Sequence, residues 1–342
     1  MSFHKRLFKK ILPVTLSILF LICFGLTVGG CNSGKDSSWR GIAFANKIEY
    51  KKGFSVHFLD VGEGDSIFIN LPDGKSMLID CASKNNDVSD YIIDSLKAYS
   101  VETINYLLLT HPDEDHIGNA SEIISAFNIE KALIPEIKFL QSYPIFQQVK
   151  SDLDNENCHQ IISSVGVNLC GKDYCIALLS PNPPTTNDSA YTDFNDFESS
   201  TGEESNNISP IVYIEYKGVS FVFTGDAGIT QEQLVLENYL SHLYKYSYSN
   251  CNISLRNVDF LKVGHHGSNS SSSKEFLNFL TPKNAIISVG GDNYYGHPSS
   301  TVIENLLNAN ENFNLFRTDI NGTISVFVDE NGNYTIQTHD KK

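Results

Sequence analysis

A chain of 342 residues with 41% hydrophobic and 11% aromatic side chains has the balance of a folded globular protein, long enough for one large core or two modest ones. Its formal net charge of −15 excludes a globally basic surface, so any nucleic-acid contact has to come from a local basic patch or from bound metal.

The N-terminus reads as an export segment. His4, Lys5, Arg6, Lys9 and Lys10 precede an apolar run from Ile11 to Val28, and "VGG" stands before Cys31. A basic stretch, an apolar stretch and small residues before a cysteine describe a signal peptide. The end of it resembles a bacterial lipobox, in which cleavage leaves Cys31 lipidated at the new N-terminus. The rival is an uncleaved anchor, since about 18 to 20 apolar residues span a bilayer. Either reading attaches the remainder to the outer side of the cytoplasmic membrane, because the leading positive charges stay inside. Residues 1–31 are therefore expected to be a signal peptide or anchor, 32–50 a polar tether, and 51–342 one folded domain.

Beyond the tether, "FSVHFLDV", "SIFINL" and "KSMLID" read as three strands, with a turn at Pro72, Asp73 and Gly74. "VSDYIIDSLKAY" carries apolar residues at helical spacing, with Ser89 as its N-cap. "INYLLLT" is near-continuously apolar, as a strand covered on both faces would be; the helix "NASEIISAF" and the strand "KALIP" follow it. From Ser180 to Ser209 the chain turns to Pro, Asn, Asp, Ser, Thr and Glu, a polar insert that reads as a mobile surface loop or as a substrate lid. "IVYIEYKGVSFVFTGD" reads as a hairpin around Lys217 and Gly218. The helix "TQEQLVLENYLSHL", the strand "VDFLKV", the helix "SSKEFLNFL", the strand "NAIISVG", the helix "SSTVIENLLNA" and a hairpin at Asn331 and Gly332 complete the alternation.

Setting aside Cys23 and Cys31, the cysteines are Cys81, Cys158, Cys170, Cys175 and Cys251, an odd number that cannot all pair within the chain. "LCGKDYC" either closes a hairpin disulfide between Cys170 and Cys175 or leaves both as thiols. No CxxC pair supports a cysteine zinc module.

The chemistry concentrates at strand ends. "HPDEDH" brings His111, Asp113, Asp115 and His116 directly after an apolar strand, and a turning loop can aim the pairs into two neighbouring coordination sites. Imidazole suits zinc and other first-row metals, while carboxylate shifts the preference toward harder ions such as manganese. Pro112 stiffens this loop and Gly118 permits the turn into the next helix. Asp226 follows "FVFTG", and His265 and His266 follow "DFLKVG". Each is unremarkable alone, as a turn aspartate or a surface histidine pair. Together they describe a dinuclear site with Asp226 bridging.

"HPDEDH" resembles the metal signature of the metallo-β-lactamase superfamily. More narrowly, "HFLDVGEGDS", "LLLTHPDEDHIGN", "FVFTGDAG", "DFLKVGHHGS", "YYGHPS" and "FRTDINGTI" resemble the hydrolase domain of the ComEC competence family. The resemblance implies an α/β fold, a four-layer αββα sandwich, with two divalent ions (zinc or manganese) at the open edge between its sheets, and a DNA-degrading activity. The ligands so implied are His111, Asp113, Asp115, His116, Asp226 and His265. Asp80, together with Asp60 and Asp65, is expected behind them, fixing the histidines by hydrogen bonds.

Many members of the superfamily have histidine at the place of Asp113 and a further histidine ahead of the "GD" aspartate. Here that interval holds only His159, in "NENCHQ", which reads as a surface residue, so the first ion would rest on His111, Asp113, Asp226 and water. The catalytic group is expected to be Asp115 with His266 or His297 as the acid that protonates the leaving group. Ser268, Lys262 and Arg317 are candidates for holding a phosphate, and "SNSSSS" either presents hydroxyls to it or is a flexible linker. The expected substrate is DNA or another phosphodiester, acted on outside the membrane, and nothing in the sequence calls for an obligate protein partner. The alternatives are a small phosphodiester or cell-envelope substrate, or an inactive surface binding protein.

Overall fold

The structure, a computed structural model, describes residues 53–137, 142–183 and 205–339. The export segment, Cys31, the tether and most of the polar insert lie outside the described residues.

The chain opens with an antiparallel meander of β1 (Phe54–Phe58), β2 (Ile67–Asn70) and β3 (Ser76–Ile79). The turn expected at residues 72–74 is closed by Gly74 N donating to Leu71 O at 3.0 Å. Helix α1 (Asn86–Ala98) starts earlier than its apolar pattern suggests. Asn85 is extended, and its side chain accepts from Asp87 N at 2.8 Å, so it takes the cap expected of Ser89. Ser89 is instead buried in the first turn, donating to Asn86 O.

Strand β4 (Thr103–Leu108) runs parallel to β3, and the short helices α2 (Glu114–Ile117) and α3 (Ala120–Ala126) lead to β5 (Asn128–Ile134), parallel again. Helix α4 (Pro144–Asn155) and β6 (His159–Ile162) follow, and His159 stands exposed on this edge strand.

The second half starts with β7 (Tyr174–Leu178), β8 (Val212–Tyr216) and β9 (Val219–Phe223), antiparallel throughout, with the hairpin turning at Lys217 and Gly218 as expected. It continues as α5 (Ile229–Leu240), α6 (Leu243–Ser247), β10 (Phe260–Lys262), α7 (Lys274–Leu280), β11 (Asn284–Ile287), α8 (Ser300–Ala309), β12 (Asn314–Arg317) and α9 (Thr318–Asn321). A last hairpin, β13 (Ile324–Val328) and β14 (Tyr334–Thr338), returns to β1.

Two sheets result, one of eight strands in the order β14-β13-β1-β2-β3-β4-β5-β6 and one of six in the order β12-β11-β10-β9-β8-β7. Their facing sides share an aromatic core in which Phe221 stacks on Phe260 at 4.7 Å and Phe54 on Tyr216 at 5.2 Å. The outer face of the larger sheet packs Ile92 and Leu96 of α1, Ile123 of α3 and Phe146 of α4. The outer face of the smaller one packs Val235 of α5, Phe276 of α7 and Leu306 of α8. Helices, two sheets and helices again make the four-layer αββα sandwich. Because β3–β4–β5 and β9–β10–β11 are parallel runs, the loops after β4, β9 and β10 open at strand C-termini, where ligand sites of such sheets form. Among the described residues no helix is long and apolar enough to cross a membrane.

The disulfide joins Cys175 to Cys251, 76 residues apart in sequence, and not Cys170 to Cys175. All three side chains meet on the outer face of the smaller sheet, and Cys170 remains a thiol with its Sγ 2.9 Å from Cys175 Sγ. Adjacency along a hairpin therefore did not decide the partner; the loop after α6 brings Cys251 to the same face. Breaking this long closure with Cys251→Ser should lower the unfolding free energy by about 2–4 kcal/mol in urea titrations without reductant. Cys170→Ser should change it by less than about 0.5 kcal/mol. Equal losses for the two variants would contradict the pairing.

Candidate metal centre

The site is assembled on Asp80, at the end of β3. Its carboxylate accepts from Thr110 N (2.8 Å) and Thr110 Oγ1 (2.7 Å) at the end of β4, and from His116 Nδ1 at 2.7 Å. With its hydroxyl proton given to Asp80, Thr110 Oγ1 is left to accept from His111 Nδ1 at 3.1 Å. Both rings are thereby fixed with Nδ1 as donor and Nε2 directed away from Asp80. Two glycines allow the close packing. A Cβ on Gly64 would stand 2.2 Å from Asp115 O, and one on Gly118 would stand 2.2 Å from Lys84 N. Gly118 has helical torsions, φ −55°, so close approach rather than a special turn explains it.

From the smaller sheet, Asp226 enters after β9. Its Oδ1 is 3.3 Å from His116 Nε2, and its Oδ2 is 3.6 Å from both His265 Nε2 and His266 Nε2. His266 Nε2 also lies 3.3 Å from Asp115 Oδ2. Ligand atoms of Asp115, His116, Asp226 and His266 thus come within 4.8 Å of one another. It is His266, not the expected His265, that stands in this group. His265 is at the rim, its Nδ1 2.9 Å from Ser270 Oγ. The two histidines are adjacent and both left-handed, φ 47° and 51°, and this strained turn sets their rings at 74° to each other, each with its Nε2 3.6 Å from Asp226 Oδ2.

The serine run after them is a brace rather than a linker. Ser271 Oγ donates to Gly264 O at 2.8 Å, and Gly264 N donates to Ser272 Oγ at 3.2 Å. The buried Glu232 carboxylate accepts from Ser272 N and Ser273 N at 2.5 and 2.9 Å.

An open cleft of about 870 Å³ lies over the group, lined among others by Glu63, Asp113, Tyr143, Ser268, Tyr295 and His297. Asp113 is half-buried, its Oδ2 3.8 Å from His111 Nε2 and accepting from Ser205 Oγ at 3.3 Å. His297 Nδ1 is 3.8 Å from Glu63 Oε1, and Glu63 Oε2 accepts from Gly290 N at 2.8 Å.

Two expected phosphate contacts are engaged elsewhere. Lys262 is fully buried beneath the group, its Nζ 2.5 Å from Asp65 Oδ2 and donating to Gly225 O at 3.1 Å. Arg317 forks onto Asp319 at 2.9 and 2.6 Å. Asp80 stands behind the histidines and accepts from His116, whereas Asp65 comes no nearer than 3.9 Å to a histidine nitrogen and is paired with Lys262. The backbone of Asp60 is held instead by Thr323 Oγ1, which accepts its N–H at 3.0 Å. Glu63, Ser205 and Asn206 escaped the sequence reading. Only Glu63 had a usable signal, as the second acid of "DVGEGD".

Residues 59–291 match the metallo-beta-lactamase superfamily. The chain belongs to that superfamily. It is 31% identical over 284 residues to ComE operon protein 3 of Bacillus subtilis (strain 168), which covers 79% of this chain and 32% of the relative. It is 27% identical over 259 residues to Recombination protein 2 of Haemophilus influenzae, covering 75% of this chain and 27% of that one. It is 24% identical over 333 residues to Competence protein ComA of Neisseria gonorrhoeae, covering 94% and 39%. The chain thus spans about a third of the length of these curated relatives, consistent with a ComEC-type hydrolase domain.

Membership in the metallo-beta-lactamase superfamily implies a metal-dependent hydrolase, and the residues present fit a divalent ion. His111 Nε2, His116 Nε2, His266 Nε2 and Asp226 Oδ1 are all buried without a hydrogen-bond partner, an arrangement that is costly unless something positive meets them. The group formed by Asp65, Asp80 and His116 offers no second place of this kind, since Lys262 already fills it.

Without metal, protons stand in for the cation. Burial alone would lower His266, but Asp226, the contact with Asp115 and the charge of Asp65 hold it up at about 9. His116 is likewise held well above the ordinary range against burial, by Asp226, Asp80 and Asp115. Burial would raise Asp226, but His116 and His266 keep it well below the carboxylate range. His111 is pushed down to about 3 by burial and by its neighbour His116, which leaves it neutral.

A histidine raised from 6.5 to about 9 contributes stability that is complete below pH 6.5 and is lost as pH rises through about 9. A metal ion competes for the same nitrogen, so its affinity rises over that window. The Tm of chelator-treated protein should fall between pH 6.5 and 9, whereas manganese-loaded protein should hold its Tm. A metal-free Tm that rose over this range would contradict the charge arrangement.

Proposed function

We propose that this chain is a metal-dependent phosphodiesterase acting on nucleic-acid strands outside the cytoplasmic membrane. The observation that carries the reading is the convergence of Asp115, His116, Asp226 and His266 beside an open cleft, with His116 Nε2, Asp226 Oδ1 and His266 Nε2 buried and without a hydrogen-bond partner. Those four residues would hold one ion, and His111, Asp113 and Asp226 a second, with Asp226 shared. Bound divalent ions supply Lewis acidity and a water acidified toward neutrality, and a pair of them suits a phosphodiester because both reacting oxygens can be clamped.

The rest is done by the chain. Asp80 and Thr110 hold the tautomers of His111 and His116, so that no rearrangement is needed at the moment of reaction. Lys262 keeps Asp65 neutralised beneath Asp226. With His266 drawn into the ligand group, His297, which lines the cleft wall beside Glu63, is the proton donor to the leaving oxygen.

The similarity to competence proteins supports a nucleic-acid substrate. One observation favours a second reading, a small phosphodiester: among the described residues lining the cleft there is no lysine or arginine, while Glu63, Asp113, Glu114 and Asp115 are acidic. Phosphate binding would then rely on the metals and on uncharged donors of the cleft such as Ser268.

Protein with manganese or zinc should cleave linear DNA, and Asp226→Ala should lower the rate by roughly 10²- to 10³-fold or more while the circular dichroism spectrum is kept. His159→Ala should leave the rate unchanged. Turnover of a chromogenic phosphodiester without DNA cleavage would replace the first reading by the second. Location is tested separately: Cys31→Ser should block lipidation and slow signal cleavage, and unchanged processing and membrane retention would show the apolar run to be the anchor.

A further inference from the structure

One buried polar atom in the cleft has no part in the architecture above. Asn206, 6% exposed, lies in the segment that leads into β8. Its Nδ2 donates toward His265 Nδ1 at 3.3 Å, and its Oδ1 is buried without a partner. The preceding Ser205 reaches Asp113 at 3.3 Å, and the following Asn207 accepts from Gly228 N at 3.2 Å just beyond Asp226. The residues on either side of Asn206 thus reach Asp113 and the turn after Asp226. Asn206 itself lines the main cleft with Asp113 and Asp226, and it lines a smaller cavity of about 250 Å³ with Asp226.

A buried amide oxygen without a donor is uncommon, because it has given up water for nothing in return. An amide oxygen is also a hard, neutral metal ligand. The other half of the centre already has four residues within ligand reach of one another, whereas the half on His111 Nε2 and Asp113 Oδ2, 3.8 Å apart, has no such closed set, and Asp226 is the carboxylate that lines the same cleft as Asp113.

We infer that Asn206 Oδ1 is the fourth ligand of the first metal position. With His111, Asp113 and Asp226 it makes a set of one nitrogen and three oxygens, against two imidazoles and two carboxylates at the neighbouring position. The two positions therefore differ in softness. The first prefers manganese over zinc, and the second accepts either. This rests on the metal centre of the proposed function and not on its substrate.

The test uses the full chain, stripped with chelator and titrated with manganese and with zinc, with calorimetry giving Kd and elemental analysis giving ions per chain. Wild type should bind two manganese ions. Asn206→Ala should weaken one of them at least about tenfold and leave the other unchanged. Asn206→His should restore two-ion binding and shift the weakened position toward zinc. Asn206→Asp, which keeps shape and adds charge, should bind manganese more tightly than wild type and serves if the alanine variant does not fold. Wild-type Kd values for both ions in Asn206→Ala, an unchanged metal preference in Asn206→His, or no tightening in Asn206→Asp would each overturn the assignment. Absent phosphodiester turnover with these metal results intact would sink the substrate reading and leave the ligand standing.

Discussion

The open edge of this sandwich is organised by negative charge that water does not screen. Asp65, Asp80 and Asp226 are each no more than 2% exposed, with Asp115 beside them. Lys262 is the permanent cation that the described residues place among them. Carboxylates in such a place persist only when paired and hydrogen-bonded. Lys262 answers for Asp65. Asp80 is satisfied by Thr110 and His116, while Asp226 and Asp115 face histidines whose outer nitrogens have no other partner. The remaining attraction for positive charge is the functional property of the fold, met by protons on His116 and His266 or by a divalent ion.

Topology makes that concentration attainable. A sheet edge gathers residues distant in sequence, and the site draws on the ends of β3 and β4 in one sheet and of β9 and β10 in the other. The aromatic core between the sheets sets their separation, and at their open edge Asp226 meets His116 across the gap. The less regular parts are pinned locally. Glu232 and the serine run brace the strained His265–His266 turn, and Thr110 ties the ligand loop to Asp80. Strain at such a turn persists only because its surroundings over-determine it.

Much of this was legible in the sequence, for identifiable reasons. Apolar runs with turn residues between them marked most strands, and ligand-type residues directly after such runs marked the site, because a strand end is where a polar side chain can leave the core. What failed was whatever depends on direction rather than position. Whether His265 or His266 faces the group is decided by two left-handed torsions that no spacing reports. Lys262 looked like a phosphate contact, but every residue of β10 is buried, so alternation along the strand gave no clue that its ammonium points into the floor. Arg317 was lost to a neighbour two residues on, and Cys175 to a partner 76 residues on. Asn206 sits at the end of a polar insert whose composition hides it.

The central claim is that the buried charge around Asp226 is a metal centre. Anomalous diffraction from manganese-soaked crystals tests it most directly, since it locates the ions without reference to any substrate. The account predicts a strong peak bounded by Asp115, His116, Asp226 and His266. Ordered manganese found only elsewhere on the molecule, with His116 and His266 still in contact with their carboxylates, would contradict it.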